Sequence, residues 1–459
     1  MKSGYGDLSF WLDSLVGSGA DDLAPRSALP GDVAVDVAIV GGGLTGLWTA
    51  YYLLKRDRAL RVAVIEKHIA GFGASGRNGG WCSALFPAST TALERRHGLD
   101  AALAMRRAMI DAVDEVGRVT DAEGIDCDYL KAGTIGYARS RPQLERARSE
   151  VAEAAHYGVD RVEFLPNPTG PTGPTGMLAA TLDPACARLH PAKLVRGLAR
   201  TVERLGGTIY ERTEVLDWSA GSVLTTHGTV TAETVVIATE GYGATLPKTH
   251  RRILPLYSLM IATEPLSDDT WREIGIEHGQ TFADYRHLLI YGQRTADNRF
   301  AFGGRGARYH WGSSIRSEYD RVPGVFEHLR KTLVDLFPQA ADAEVTHRWG
   351  GPLGVPRDWH AHASFDPVTR IASAGGYVGD GLSTTNLAGR TLADLISGRD
   401  TELTRLPWTN HRSPSWELEP LRFVGSNLGL LAMEAADLEE RITHRTSLAA
   451  KLMAPLTGH

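Results

Sequence analysis

The distribution of apolar and polar residues along the chain predicts alternating β-strands and α-helices. Asp36–Val40 is a short apolar run typical of a buried strand. Apolar residues then recur at helical spacing from Leu44 to Leu54, and Arg61–Glu66 forms a second strand-like run. Residues 36–66 therefore predict a βαβ unit, the first element of a Rossmann-type α/β fold.

The rest of the chain continues as helix-like and strand-like blocks. The predicted helices are Leu99–Val119, Gln143–His156, His190–Leu205, Phe326–Leu336 and Leu382–Leu395. The predicted strands are Gly133–Ala138, Thr208–Glu211, Glu233–Ala238, Ile253–Thr263, His287–Tyr291, Arg299–Phe302 and Arg370–Ala374. The turn Ala296-Asp297-Asn298 is predicted to join two of these strands as a hairpin. The triplets of Pro168–Gly176 are predicted to be a surface loop, since three repeats cannot nucleate a collagen helix.

The order of these blocks predicts two interleaved domains. A Rossmann-type nucleotide-binding domain is assigned to residues 32–90, 177–248 and 345–400, and a substrate domain with a large mixed β-sheet to residues 91–176 and 249–344. Residues 1–31 are expected to be an irregular lead-in, rich in Gly, Asp, Ser and Pro, and residues 401–459 a C-terminal extension.

A glycine turn lies between the first strand and its helix. Gly41 allows a tight turn, Gly43 lets the backbone approach a diphosphate, and Gly46 lets helix and strand pack closely. The N-terminus of the helix offers free N–H donors and partial positive charge to that diphosphate. Glu66, which ends the next strand, can accept hydrogen bonds from ribose hydroxyls and disfavours the 2′-phosphate of NADP. The alternative interpretation is a glycine turn without a ligand.

Two further glycine-rich stretches favour FAD over NAD. Gly71–Trp81 can lay consecutive N–H groups along an elongated cofactor, and Arg77 can reach its phosphates. In Gly375–Arg390 a second helix N-terminus can face the pyrimidine end of a flavin. The predicted cofactor-binding residues are Gly41, Gly43, Leu44, Thr45, Gly46, Glu66, Lys67, Gly73, Ala74, Ser75, Arg77, Asn78, Gly79, Gly80, Trp81, Val215, Gly350, Gly379, Gly381, Leu382, Ser383 and Thr384.

Composition narrows the class of protein. The 459 residues carry a net charge of -5, so the chain has no strong field for nucleic acid or anionic membranes. No apolar run is long enough to span a bilayer and no signal peptide is recognisable, so a cytoplasmic protein is expected. The 3 cysteines are too few for a disulfide framework. His360 and His362 lack a third ligand, so no metal site is predicted.

These three motifs, in this order, resemble the D-amino-acid oxidase/glycine oxidase (DAO) superfamily of FAD enzymes. Within that superfamily the chain is most similar to gamma-glutamylputrescine oxidase-like proteins. The similarity extends from about Ser9 to Arg441. It also includes Leu189-His190-Pro191, Val235–Thr239, Ile253–Leu266, Gly303-Gly304-Arg305 and Trp349-Gly350-Gly351.

The resemblance implies oxidation of a C–N bond in an amine or amino acid to an imine by hydride transfer to flavin N5. Oxygen would reoxidise the flavin and give hydrogen peroxide, so the expected partners are a small amine and O₂. Some relatives attach FAD covalently through a His in the glycine loop or a late Cys. This chain has Gly76, Arg77 and Asn78 in that loop and no Cys after Cys186, so non-covalent FAD is predicted. The oligomeric state is left open.

Candidate substrate residues come from the middle of the chain. Tyr257 and Tyr291 can form apolar walls, and Arg305 can bind a substrate carboxylate in bidentate fashion. His287 can tune the protonation of the amine. Each residue also has a structural interpretation: core packing for the tyrosines, a surface or phosphate-proximal group for Arg305, and a satisfied side chain for His287.

Two other functions are compatible with the sequence. One is a flavin dehydrogenase that passes electrons to an acceptor other than oxygen. The other is a non-catalytic FAD-binding scaffold or assembly protein. A flavin monooxygenase is disfavoured because no second dinucleotide motif for NAD(P)H is present.

Overall fold

The computed structural model describes residues 4–166 and 173–447, with only the backbone at 305–307. The predicted loop at 168–176 therefore lies partly outside the described residues. Within those ranges the α-helices are α1 Phe10–Ser18, α2 Leu44–Arg56, α3 Thr90–His97, α4 Leu99–Glu123, α5 Arg141–Tyr157, α6 Pro191–Arg204, α7 Asp268–Ile274, α8 Pro323–Leu336, α9 Gly381–Ile396 and α10 Leu421–Thr443.

The strands are grouped in two large sheets and one two-stranded sheet. They are β1 Val33–Val40, β2 Val62–Ile65, β3 Trp81–Ser83, β4 Thr134–Ala138, β5 Glu163–Leu165, β6 Ala179–Asp183, β7 Cys186–Arg188, β8 Thr208–Tyr210, β9 Val215–Ser219, β10 Ser222–Thr225, β11 Gly228–Ile237, β12 Leu254–Thr263, β13 Thr281–Asp284, β14 Ile290–Arg294, β15 Phe300–Ala307, β16 Val345–Val355, β17 His362–Asp366 and β18 Ile371–Gly375. The predicted α/β class, with a Rossmann-type domain and a large mixed sheet, is confirmed.

The first large sheet has the order β17-β18-β11-β1-β2-β8, and β10 and β9 continue from β11. Strands β18, β11, β1, β2 and β8 run parallel. The second half of β1 and all of β2 are buried, as the continuous apolar runs predict for parallel strands covered on both faces. Helices α2 and α9 pack together so closely that a Cβ on Gly389 would lie 2.5 Å from Trp48 Cβ.

The second large sheet has the order β16-β12-β15-β14-β13-β4-β6-β5. This sheet is mixed. Strand β13 pairs parallel with β4, and the other strand pairs of the sheet are antiparallel. Strands β14 and β15 form the predicted hairpin, although β14 begins at Ile290 rather than at His287. Helix α8 packs on one face, and Phe282, Phe302 and Leu329 belong to the core between them.

Two strands belong to a different sheet from the one that their predicted domain segment implies. Strands β6 and β16, assigned to the nucleotide-binding segments 177–248 and 345–400, pair in the second large sheet. The reason is the partner that each strand finds: β6 lies antiparallel to β4, and β16 follows β12 from Leu254 to Thr263. In the opposite sense, α4 falls in the predicted substrate segment 91–176 but shares the core of α2 and α9.

The predicted irregular lead-in is wrong for residues 10–18, which form α1. Ser9 caps this helix by accepting a hydrogen bond from the Leu12 N–H. Phe10, Trp11 and Leu12 are buried in a cluster that also contains Met260 of β12 and Trp349 of β16. The helix therefore packs against the second sheet. The sequence feature that could have predicted it is a Ser at the cap position followed by clustered apolar residues. Helix α10, in the predicted C-terminal extension, was not predicted either.

Candidate active site

A cavity of about 550 Å³ lies between the two large sheets. Val40, Ile65 and Ala238 place it at the carboxyl ends of β1, β2 and β11, where open α/β sheets bind ligands. Met260 of β12 and Tyr291 of β14 line its opposite wall. The predicted cofactor residues that line it are Gly41, Gly43, Leu44, Thr45, Glu66, Lys67, Gly73, Ala74, Ser75, Arg77, Asn78, Gly79, Trp81, Val215, Gly379, Gly381 and Leu382.

The first glycine turn connects β1 to α2 beneath the cavity. Gly41 has φ = 110°, and a Cβ there would lie 2.4 Å from Ala238 O. A Cβ on Gly46 would lie 2.1 Å from Gly41 O, so this residue is required for packing although it does not line the cavity. Gly43 precedes α2 and has no side chain to cap it, and Gly43, Leu44 and Thr45 at this helix start line the cavity.

Glu66 lies just beyond β2 and lines the cavity beside this turn. Its Oε2 accepts from Gly42 N at 2.8 Å, and its Oε1 accepts from His68 N at 2.8 Å. Burial raises the pKa of Glu66, and the two N–H donors oppose that shift. Because each carboxylate oxygen has two lone pairs, Glu66 can hold the turn and still accept a ligand hydroxyl.

The second glycine loop is joined to the first by a side chain. Ser75 Oγ accepts a hydrogen bond from Leu44 N at 2.9 Å, at the start of α2. Asn78 closes the loop, since Nδ2 donates to Ala74 O and Oδ1 accepts from Gly80 N. Gly80 itself lies outside the cavity lining, where a Cβ would meet Leu189 O at 2.2 Å.

Helix α1 supports this second loop from behind. Ser9 Oγ donates to Gly76 O at 2.9 Å, and Trp11 Nε1 donates to Asn78 O at 2.7 Å. Asp13 Oδ2 lies 3.1 Å from His347 Nε2 on β16. The N-terminal segment therefore satisfies two carbonyls of the second loop, those of Gly76 and Asn78.

Arg77 lines the cavity, and two of its guanidinium nitrogens donate to protein acceptors. Nε donates to Phe72 O, and Nη1 donates to Asp320 Oδ2 at 2.8 Å and to Gly350 O. The contact of Arg77 with a phosphate stays a prediction. Burial raises the pKa of Asp320, and the charge of Arg77 opposes that rise. Gly350 lies behind the cavity, whereas the next residue, Gly351, lines it.

The third glycine turn precedes α9. Gly379, Gly381 and Leu382 line the cavity, and Tyr377 Oη lies 3.0 Å from Thr45 Oγ1 of α2. Ser383 and Thr384 do not line it, because their hydroxyls are turned to carbonyls of Ser83 and Asp380.

Glu240 is a cavity-lining residue that the sequence analysis missed. Its Oε2 accepts from Gly376 N at 3.0 Å, and its Oε1 accepts from Tyr377 N at 3.4 Å. Burial raises the pKa of this carboxyl from 4.5 to about 7. Glu240 follows the parallel strand β11. Its position after the carboxyl end of that strand was the sequence feature that could have identified it as a cavity residue.

Tyr291, one of the predicted substrate residues, lies on the opposite wall of the cavity. Tyr291 Oη lies 2.8 Å from Ser258 Oγ of β12, and its ring stacks on Trp81 with centroids 6.2 Å apart. Leu289 and Asp320 also line this side, and no sequence signal identified them.

Two of the other predicted substrate residues, Tyr257 and His287, do not line the cavity. Tyr257 is buried among aromatic rings, with Tyr319 and His310 edge-on to it. His287 Nε2 lies 3.0 Å from Glu440 Oε1 of α10, which is the satisfied structural role. The backbone of Arg305 lies opposite Ser258 in the β12–β15 pair, and its side chain lies outside the described residues.

The composition of the cavity fits a flavin dinucleotide. Three backbone turns, each preceding a helix or helical turn, meet along one elongated cavity, and an acidic residue ends β2 where a ribose is bound in this type of fold. Side chains are excluded at Gly41 and Gly46, as close backbone approach requires. The fold and cavity together define the class of FAD-dependent oxidoreductases.

Comparison with known proteins identifies the family. Residues 36–395 match the sequence profile of the DAO family, described as FAD dependent oxidoreductase, and the chain belongs to this family. It is 31% identical over 393 residues to gamma-glutamylputrescine oxidoreductase of Escherichia coli K12, covering 84% of this chain and 89% of that protein. It is 32% identical to the probable oxidoreductase OrdL of Rhizobium meliloti, covering 82% of this chain and 86% of that protein.

The fold is also similar to that of solved structures. The glycine oxidase of Geobacillus kaustophilus superposes with a TM-score of 0.68 at 24% identity, covering 82% of this chain and 99% of that chain. Among the described residues, no helix is long and apolar enough to cross a membrane.

Proposed function

We propose that the protein binds FAD without a covalent bond and oxidises the C–N bond of an amine or amino acid to an imine. One observation carries this proposal: the glycine turns of the first large sheet and residues of the second large sheet line the same cavity. The relatives named above, a gamma-glutamylputrescine oxidoreductase and a glycine oxidase, act on amines or amino acids by their names. Hydride acceptance at N5 and reoxidation by O₂ to hydrogen peroxide are the chemistry that bound FAD would supply.

The residues of this chain would act by position. The turn at Gly41–Gly46 and its helix N-terminus would hold the diphosphate, and Glu66 would hold the ribose. Tyr291, fixed by Ser258 and stacked on Trp81, would orient an apolar part of the amine against the cofactor. The two sheets would exclude water from the reacting bond.

Non-covalent attachment is supported by the residues of the second loop and by the burial of the cysteines. Gly76, Arg77 and Asn78 provide no His or Cys in the second loop. The three cysteines are buried, and burial raises the pKa of Cys127 to about 12, so that thiol stays protonated. Acid precipitation of the purified protein tests this point, since non-covalent FAD is released to the supernatant and covalent FAD stays in the pellet.

Anaerobic flavin reduction tests the reaction. The protein is mixed with amino acids, N-methyl amino acids, polyamines and their conjugates, and loss of the visible flavin band is followed. The Gly46→Ala protein with the same added FAD is the matched control. Reduction by an amine and one peroxide per turnover in air are expected. Reduction with no peroxide would replace the oxidase by a dehydrogenase, and no reduction by any amine would favour a scaffold.

A further inference from the structure

Helix α10 carries a continuous apolar stripe on its exposed side. Six apolar residues repeat at alternating spacings of three and four, and exposed Ala435 fills the one gap. Each of the six is between 41% and 70% exposed. They are Leu421, Val424, Leu428, Leu431, Leu438 and Ile442. These residues and Ala435 are called the α10 stripe below.

The opposite side of α10 attaches the helix to the protein through polar contacts. Asp437 accepts from His287 N at 2.7 Å and Leu288 N at 2.9 Å, and Glu440 accepts from Arg146 at 3.0 and 2.7 Å. Asn427 exchanges two hydrogen bonds with the backbone of Tyr309. The helix is thereby fixed with its polar side inward, and the α10 stripe faces away from the protein.

The spacing and width of the stripe specify the kind of partner. Alternating spacings of three and four define the narrow seam of a coiled coil, which packs against another helix. A surface that lies on lipid is wider and is bordered by Lys and Arg. The stripe is instead bordered by Glu434, Glu439 and Arg441, which are net acidic.

The size of the stripe is sufficient for a specific pair. Its six large side chains expose on the order of 600 Å² of apolar surface, at the upper end for a patch on a monomer. Two copies would bury about 1,200 Å², the lower bound of stable interfaces.

The geometry points to a second copy of this chain, docked through the α10 stripe with the two helices antiparallel. A two-fold pair uses the same patch twice, so one self-complementary stripe is enough. A parallel pair would bring Glu434 beside Glu439 of the second copy, where like charges repel.

Sedimentation equilibrium of the purified full-length protein tests the assembly, at concentrations of roughly 1 to 100 µM. The expected mass is twice 49.7 kDa. Leu428→Glu with Leu438→Glu should give the monomer with unchanged circular dichroism. Val368→Glu is the matched control, because Val368 is 88% exposed in the turn between β17 and β18 and lies off the stripe. This control should stay dimeric.

A monomeric wild-type protein overturns the proposal, as does a dimer that survives both stripe substitutions. Stripe-dependent binding of the monomer to phosphatidylglycerol vesicles would replace the second copy by a membrane.

Discussion

The two walls of the cavity are built in different ways. The first-sheet wall consists mainly of backbone turns, in which Gly41 and Gly46 bring main-chain atoms together and Glu66 accepts main-chain N–H groups. The second-sheet wall consists of side chains, such as Tyr291 held by Ser258. A backbone wall tolerates little change and suits an invariant cofactor, whereas a side-chain wall can be altered residue by residue to suit a substrate. Substitutions on the two walls should therefore have separable effects.

The largest effect is expected for Gly46→Ala in the backbone wall. The new Cβ would lie 2.1 Å from Gly41 O, so α2 and the turn must separate. FAD affinity should fall by at least about 1,000-fold, roughly 4 kcal/mol, as measured by titrating FAD into the apoprotein. Gly324→Ala in α8, where a Cβ meets nothing within 4 Å, is the control and should bind FAD as wild type does. Full FAD content in the Gly46→Ala protein would contradict the backbone wall.

The second effect concerns the ion pair that joins the two walls. Arg77→Met leaves Asp320 and Gly350 O without their donor at a buried position. The free energy of unfolding should fall by about 3 kcal/mol, measured by urea denaturation. Arg272→Ala, which breaks the exposed pair with Asp269, should cost less than about 1 kcal/mol. If the two variants lost equal free energy of unfolding, the Arg77 ion pair would contribute no more to stability than an exposed pair does.

The third effect is a pH dependence from Glu240. Its folded pKa of about 7 exceeds the ordinary 4.5, so the protonated carboxyl favours folding at low pH. That contribution is complete below about pH 4.5 and is lost as the pH rises through about 7, on the order of 3 kcal/mol. Glu240→Gln should remove it, so the wild-type apoprotein should lose stability relative to the variant across this range. Parallel stability curves for the two proteins would be the contrary result.

The smallest effect is expected for Tyr291→Phe in the side-chain wall. The variant keeps the ring on Trp81 but loses the contact with Ser258, worth about 1 kcal/mol. For an amine substrate kcat/KM should fall about fivefold, while FAD content stays complete. Tyr157→Phe, which loses a hydrogen bond to Glu94 outside the cavity lining, should leave both unchanged. Loss of FAD from Tyr291→Phe would remove the distinction between the walls.

The same difference decides what the sequence could predict. A glycine turn depends on residues close in the chain, so Gly41, Gly43 and Glu66 could be placed at the cavity, and Gly46 in the packing beneath it, from their spacing. Tyr257 of β12 and Tyr291 of β14 lie on two strands that both pair with β15, but only Tyr291 lines the cavity. Whether a strand residue lines the cavity depends on how its strand is paired and on which face of the sheet its side chain lies. The composition of a strand determines neither.

Other residues were misjudged because their partners are distant in the chain. His287 was a candidate for amine chemistry, yet it meets Glu440 of a helix that was not predicted. Glu240 was overlooked although it follows a correctly predicted strand. Asp320 has no local pattern at all, since its position is set by Arg77, 243 residues earlier.

The contacts of α1 have a consequence for biosynthesis. Trp11 is among the first residues to leave the ribosome, but its core neighbour Trp349 is among the later ones. Ser9 and Trp11 reach Gly76 and Asn78 only 67 residues later, but the cluster that buries the helix is completed only when most of the polypeptide has been made. Such long sequence separations slow folding and leave an apolar segment waiting for its partners. We expect the nascent chain to depend on chaperones during this interval, and to acquire its cofactor late.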